Sequence, residues 1–289
     1  MILHAMRPIL PLFSCLLIGC LVQCSRDERA VELHIIAGQS NAQGYQGDAT
    51  HYPAEESWRD KNILFFYHST GNGKEAGACS SDGKWMSMRP QSGRFEKGYF
   101  GPEVSFARAL DRKGVRPAIF KYTKPSSSLA ESWKGPSDQG DYTAMCRDLS
   151  VAIEQLRKEH PQFKFASFTW IQGESDAETD EMASGYEERL RAIVRHIRET
   201  LQEPELPIIL GADEEHPWVK ERPAIIEAQK RIAEEDQQMA FLSMQKLEKF
   251  DTSHLTPSGL VEHGRRLFER YEALVADREL NLARKSARD

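Results

Sequence analysis

Three distant stretches of this chain hold residue types that could perform nucleophilic catalysis. Gly38-Gln39-Ser40-Asn41 follows a short apolar run, with Gly44 just beyond. A serine on a tight strand-to-helix turn exposes its hydroxyl at a sheet edge, where the first N–H groups of the helix lack acceptors. Asp251-Thr252-Ser253-His254 puts a carboxylate and an imidazole three residues apart on one loop. That spacing lets the carboxylate hold one ring nitrogen while the other faces a serine hydroxyl. Gln172-Gly173-Glu174-Ser175-Asp176 offers a side-chain amide, and Gly101-Pro102-Glu103 offers a backbone N–H at a helix start. Two or three such donors aimed at one point stabilise a tetrahedral oxyanion, each contributing about 3 kcal/mol. Taken singly, a turn serine, a capping aspartate and a loop amide are ordinary features. Their conjunction on one sheet is what points to chemistry.

Other candidates rank lower. Glu174 and Asp176 read better as supports of the central loop than as reacting carboxylates. His216, in Asp213-Glu214-Glu215-His216, is the alternative base. Trp85, Trp133 and Trp218 fall in loops, where an aromatic either stacks on a sugar or pins the loop by packing. His34 lies inside the first apolar run and reads as a packed core imidazole.

The elements that must position these groups alternate. Apolar and β-branched runs predict strands at 32–37, 62–67, 117–122, 165–171, 206–210 and 240–242. Helical spacing of apolar residues predicts helices at 103–111, 143–160, 182–201, 221–236 and from Thr256 to about Val275. Such alternation implies an α/β fold, a parallel sheet covered on both faces. In that fold, working residues gather beyond the carboxyl ends of the strands, which is where all the candidate stretches fall. The Gly- and Ser-rich connection 68–100 is either a functional loop or surface decoration.

With 289 residues, Lys+Arg 38 against Asp+Glu 44 and a net charge of −6, the chain lacks the basic balance of a nucleic-acid binder. Residues 1–19 read as a signal peptide, with a weak basic start and an apolar run too short to span a bilayer. Leu17-Ile18-Gly19-Cys20 resembles a bacterial lipobox, making Cys20 the expected lipidation site and residues 20–31 a tether. The expected location is therefore outside the cytoplasm, as a periplasmic or envelope lipoprotein or a secreted protein, touching membrane only through that lipid. Residues 276–289 form a charged tail. Of five Cys, only Cys79 and Cys146 belong to the domain; an oxidising compartment permits them to pair, and two free thiols are equally compatible. No zinc-type ligand spacing is present, so no metal is expected.

The blocks around Ser40, Gly101, Trp170–Asp176 and Asp251–His254 resemble those of the SGNH hydrolase superfamily. The most similar branch is the sialate O-acetylesterase domain, which includes carbohydrate esterase family six, the acetylxylan esterases. The resemblance covers about 32–275. It implies a three-layer α/β/α sandwich on a five-stranded parallel sheet. It implies Ser40 as nucleophile, His254 as base and Asp251 as its partner, with Ser40 N–H, Gly101 N–H and the Gln172 side chain as the oxyanion hole. Gln39, Asn41, Glu103, Lys121 and Glu174 are then expected to support the site or touch substrate. The substrate class implied is acetylated carbohydrate, polysaccharide or sialic acid, with no cofactor. Lys124-Pro125-Ser126-Ser127-Ser128 stands where relatives carry a Gly-Gly-Thr-Ser-like stretch, a departure at the mouth of the crevice. Two other functions share the fold: an SGNH-type lipase or thioesterase, disfavoured by the polar loops, and an inactive glycan-binding lipoprotein, disfavoured by the complete triad. Activity that starts from a neutral imidazole is expected to fall as pH drops through about 6 to 7.

Overall fold

The computed structural model describes residues 29–71, 79–136 and 139–286. The expected signal peptide, Cys20 and most of the tether lie outside the described residues. The strands are β1 (Val31–Gly38), β2 (Leu64–Ser69), β3 (Cys79–Ser80), β4 (Met86–Ser87), β5 (Arg116–Thr123), β6 (Lys164–Ile171), β7 (Ile208–Gly211) and β8 (Met239–Phe241). The helices are α1 (Ser40–Gln43), α2 (Glu103–Arg112), α3 (Asp141–Glu159), α4 (Asp180–Ser184), α5 (Tyr186–Leu201), α6 (Pro217–Glu221), α7 (Ala224–Glu235) and α8 (Pro257–Ser286).

The order across the sheet is β3-β2-β5-β1-β6-β7-β8, with β4 also on β2. Among the described residues six strands run parallel, and only the two-residue β3 and β4 pair antiparallel. This corrects the expected five-stranded sheet to six parallel strands, the number that the apolar runs predict. Chain direction across the sheet reverses around β1, so the crevice opens at the carboxyl end of β1.

Period-two alternation sorts the strand side chains between two cores. Leu33, Ile35, Phe120, Phe168, Trp170 and Ile208 pack under α3, α5 and α7. Ile36, Phe65, Ile119, Ile171 and Ile209 pack under α2 and α8, the latter through Leu260, Leu267 and Leu274. His34 is fully buried, edge-on to Phe106 and Tyr271, with Nδ1 on Ser167 Oγ at 2.9 Å. Burial drives its pKa down to about 3, so it is the neutral core imidazole its strand position predicts.

Two helices depart from prediction. The periodic stretch 182–201 is two helices broken at Gly185. The last helix continues from the expected end near Val275 to Ser286, through much of what reads as a charged tail. Cys79 and Cys146 are both free thiols.

Candidate active site

Ser40 opens α1 directly after β1. The bend needs glycine: a Cβ on Gly38 (φ 146°) would stand 2.0 Å from the Ile171 carbonyl oxygen. Gly44 (φ 87°) closes α1, its N–H donating to the Ser40 carbonyl at 3.0 Å. Ser40 is 5% exposed, and its hydroxyl makes no hydrogen bond among the described residues.

Asp251 and His254 sit at the tip of a narrow loop between β8 and α8. His254 Nδ1 lies 2.9 Å from Asp251 Oδ2 and 3.1 Å from Oδ1. A carboxylate only accepts, so Nδ1 carries the proton and Nε2 is left as an acceptor. Asp251 Oδ1 also accepts from the N–H groups of Ser253 (2.7 Å) and His254 (2.8 Å). Partial burial pushes the Asp251 carboxyl up, but the hydrogen bonds from His254 and Ser253 outweigh it and hold the pKa below its ordinary value.

Asn41 joins the two stretches. Its Nδ2 donates to the Ser253 carbonyl at 2.9 Å, and its Oδ1 accepts from the Leu255 N–H at 3.1 Å. The residue after Ser40 thus grips the backbone on both sides of His254. Tyr45, whose N–H donates to the Ser40 carbonyl, stacks on the His254 ring at 4.5 Å between centroids. The Arg94 guanidinium lies over the Tyr45 ring, 3.2 Å from its centroid. No direct hydrogen bond links Ser40 and His254 here; such contacts commonly tighten only with substrate bound.

The expected oxyanion donors are arranged differently. Gln172 is fully buried and its Nε2 donates to the Ser127 carbonyl (2.9 Å) and Asp176 Oδ2 (2.7 Å). Both its hydrogens are therefore committed to buried acceptors. Asp176 also takes the N–H groups of Leu129 and Ala130, so Gln172 and Asp176 tie the β6 loop to a π-helical turn at Leu129–Trp133. The Gly101 N–H donates to Glu103 Oε1 at 2.9 Å. Glu103 is in turn paired with Lys121 at 2.7 Å, both fully buried, and Lys121 Nζ donates to the Gln43 carbonyl at 2.8 Å. With no ligand present, the Gly101 N–H and both Gln172 amide hydrogens are engaged within the chain. The available donors are the Ser40 N–H, at the open start of α1, and the Gln39 amide. Gln39 Oε1 accepts from the Gly173 and Ser175 N–H groups at 3.5 and 3.4 Å, and its NH2 has no partner among the described residues.

His216, the alternative base, reaches the same loop but meets Ser253: Nε2 lies 3.0 Å from Ser253 Oγ. Its pKa is lowered, chiefly by burial. Asp213 pairs with Lys249 at 2.5 Å, two residues before Asp251. Glu174 Oε1 accepts from the Asp213 N–H at 2.9 Å. Burial and then the neighbouring Asp213 charge push the Glu174 carboxyl up to about 7. Glu174, Asp213 and His216 thus brace the loop from the β7 side, opposite Asn41. Trp133 is buried, with Nε1 on Ser127 Oγ at 2.7 Å, and Trp85 donates to the Ala152 carbonyl, so both pin loops. Trp218 is 39% exposed. Sequence reading missed Tyr45 and Lys249, which carry no motif of their own.

Residues 30–273 match the family described as carbohydrate esterase, sialic acid-specific acetylesterase. The chain belongs to that family. It is accordingly a carboxylic ester hydrolase that acts on acetylated carbohydrate. A solved Arabidopsis thaliana protein superposes with a TM-score of 0.62 at 20% identity, over 84% of this chain and 98% of that one. NanS superposes at 0.58 and 17% identity, over 86% and 97%. A carbohydrate acetylesterase from Xanthomonas citri superposes at 0.54 and 20%, over 83% of this chain but 54% of its own length. At these identities the likenesses establish the fold. No curated protein matches in sequence.

Proposed function

We propose that this carbohydrate esterase removes O-acetyl groups by a serine mechanism through an acetyl-enzyme. Its carrying observation is the Asn41 clamp, which fastens the His254 loop to the turn bearing Ser40. In this reading His254 Nε2 takes the Ser40 proton as Oγ attacks the acetyl carbonyl carbon. The Ser40 N–H and the Gln39 NH2 receive the developing oxyanion. Collapse expels the sugar oxygen, which takes the proton from His254, and leaves acetyl on Ser40. Water then gives a proton to neutral His254 and attacks that carbonyl, and collapse releases acetate and restores the Ser40 hydroxyl. Asp251 keeps Nδ1 protonated and stabilises the imidazolium in both halves.

The alcohol side is a sugar hydroxyl of an acetylated polysaccharide or of sialic acid. Acetate release from a panel of acetylated glycans, with Ser40→Ala as control, tests the reading. Release that survives in Ser40→Ala would overturn it. We also propose export, on the apolar run 9–19 and the lipobox-like Leu17–Cys20. Cell fractionation of the wild type and Cys20→Ser tests that proposal.

A further inference from the structure

α1 is a single turn, Ser40–Gln43, and one turn of helix has little stability of its own. Where Ser40 stands is therefore set by what grips the two ends of that turn. At the start, the Gln39 N–H donates to the Ile171 carbonyl at 2.9 Å, and Asn41 holds the Ser253–Leu255 backbone. At the end, Gln43 Nε2 donates to Ser69 Oγ at 2.6 Å, and the Gln43 carbonyl accepts from Lys121 Nζ at 2.8 Å. The last carbonyls of a helix lack partners within it and carry partial negative charge, so an ammonium is a well-matched donor there. At a rise of about 1.5 Å per residue, Gln43 lies only about 4.5 Å along the axis from Ser40. A displacement at the Gln43 end carries to Ser40 almost undiminished.

Lys121 is itself rigidly held. It sits on β5, which pairs with β1 on one side and β2 on the other. Its Nζ also donates to Glu103 Oε2 at 2.7 Å, and Glu103 Oε1 accepts from the Gly101 N–H (2.9 Å) and Gln91 Nε2 (3.3 Å). One ammonium thus joins the end of α1, the first residue of α2 and the middle of the sheet. The junction is close-packed: a Cβ on Gly101 would stand 2.6 Å from Glu103 Oε2 and 2.9 Å from Lys121 Nζ. Stability does not account for it. Burial pulls the Lys121 pKa below its ordinary value, against the opposing Glu103 charge. A buried ion pair can often be replaced by apolar side chains of similar volume at no loss. What an apolar residue cannot do is hold a carbonyl in one direction.

We infer that Lys121 is a positioning residue for the nucleophile: through the Gln43 carbonyl it sets the tilt of α1, and with it the places of Ser40 Oγ and the Ser40 N–H, while Glu103 holds Lys121 in place. The inference rests on the serine-esterase reading and deepens it. Ser40 is then aimed from two sides, by Asn41 toward the His254 loop and by Lys121 from beneath.

The test uses Lys121→Met and the double variant Glu103→Ala/Lys121→Met, which removes the grip without stranding a buried carboxylate. Both are assayed on an aryl acetate, with competent sites counted by completed fluorophosphonate labelling and folding followed by melting curves. In the variants that fold, kcat per labelled site should fall about 10- to 100-fold, the scale of a small misplacement. KM should change by less than about threefold. The acid limb of the pH profile should stay where the wild type has it, because Asp251 and His254 are paired on a separate loop. A purely structural role would lower the melting temperature and the number of labelled sites but leave kcat per site at the wild-type value, and that result overturns the inference. Failure of both variants to fold also overturns it, since the pair would then be a folding requirement. Failure of the esterase reading looks different: the wild-type rate survives in Ser40→Ala, whatever stands at 121.

Discussion

Asn41 Nδ2 donates to the Ser253 carbonyl at 2.9 Å, joining the residue after the candidate nucleophile to the residue before the candidate base. Its oxygen completes the grip on Leu255, whose N–H has little access to water. Asn41→Leu removes both bonds and strands that N–H, at about 1–3 kcal/mol. Because the loop also carries the imidazole, kcat/KM should fall about 10- to 100-fold, the scale of a small misplacement. Steady-state kinetics on an aryl acetate, with a melting curve to separate stability from rate, checks this. Unchanged kinetics would show that the clamp does not position His254.

Tyr45 tests the same geometry from the other side. Tyr45→Phe keeps the ring on His254 and should keep kcat within about twofold. Tyr45→Leu loses a stacking contact of about 1 kcal/mol, so kcat should drop about fivefold with KM little changed. Equal loss in both variants would assign the effect to the hydroxyl instead.

Lys121 and Glu103 form a fully buried pair behind the site. Glu103→Ala leaves a buried ammonium uncompensated and should cost about 3–5 kcal/mol of stability. Adding Lys121→Met should recover most of that loss in urea denaturation. If the single variant is as stable as the wild type, the pair is not closed to water.

Glu174 gives a stability signature in pH. Burial and the Asp213 charge raise its folded pKa to about 7, against an ordinary value near 4.5. Between those values the folded chain binds more protons than the unfolded chain. Stability from this group therefore falls as pH rises from about 4.5 to 7 and levels off above, by on the order of 3 kcal/mol. Glu174→Gln cannot ionise and should flatten that part of the profile, with greater stability than the wild type at pH 8. Denaturant midpoints across this range measure it. A parallel profile in the variant would show that Glu174 ionises normally.

Much of the fold was legible because burial leaves a periodic trace. The six parallel strands follow from apolar runs such as 32–37 and 165–171, and His34 reads correctly because a strand interior dictates its surroundings. Asp251 and His254 are legible as a pair because three residues of one loop keep them within reach. The donors were not. Whether Gln172 or Gln39 has a free NH2 depends on Ser127, Asp176, Gly173 and Ser175, brought together only by folding. His216 likewise carries no mark of its preference for Ser253. The length of α8 was hidden because its last turns are charged: Leu274 still packs on the core, and Arg278 pairs with Glu205, a contact remote in sequence.

The central claim is that Ser40 is activated by His254 and becomes the acylated residue. A fluorophosphonate forms a stable bond only to such an activated hydroxyl. Intact-mass analysis after exposure should show one adduct on the wild type, mapped to Ser40 by peptide sequencing. Ser40→Ala should show none, and His254→Ala should react at least about 100-fold more slowly. An adduct on Ser253 or another serine, or undiminished labelling in His254→Ala, would contradict the account.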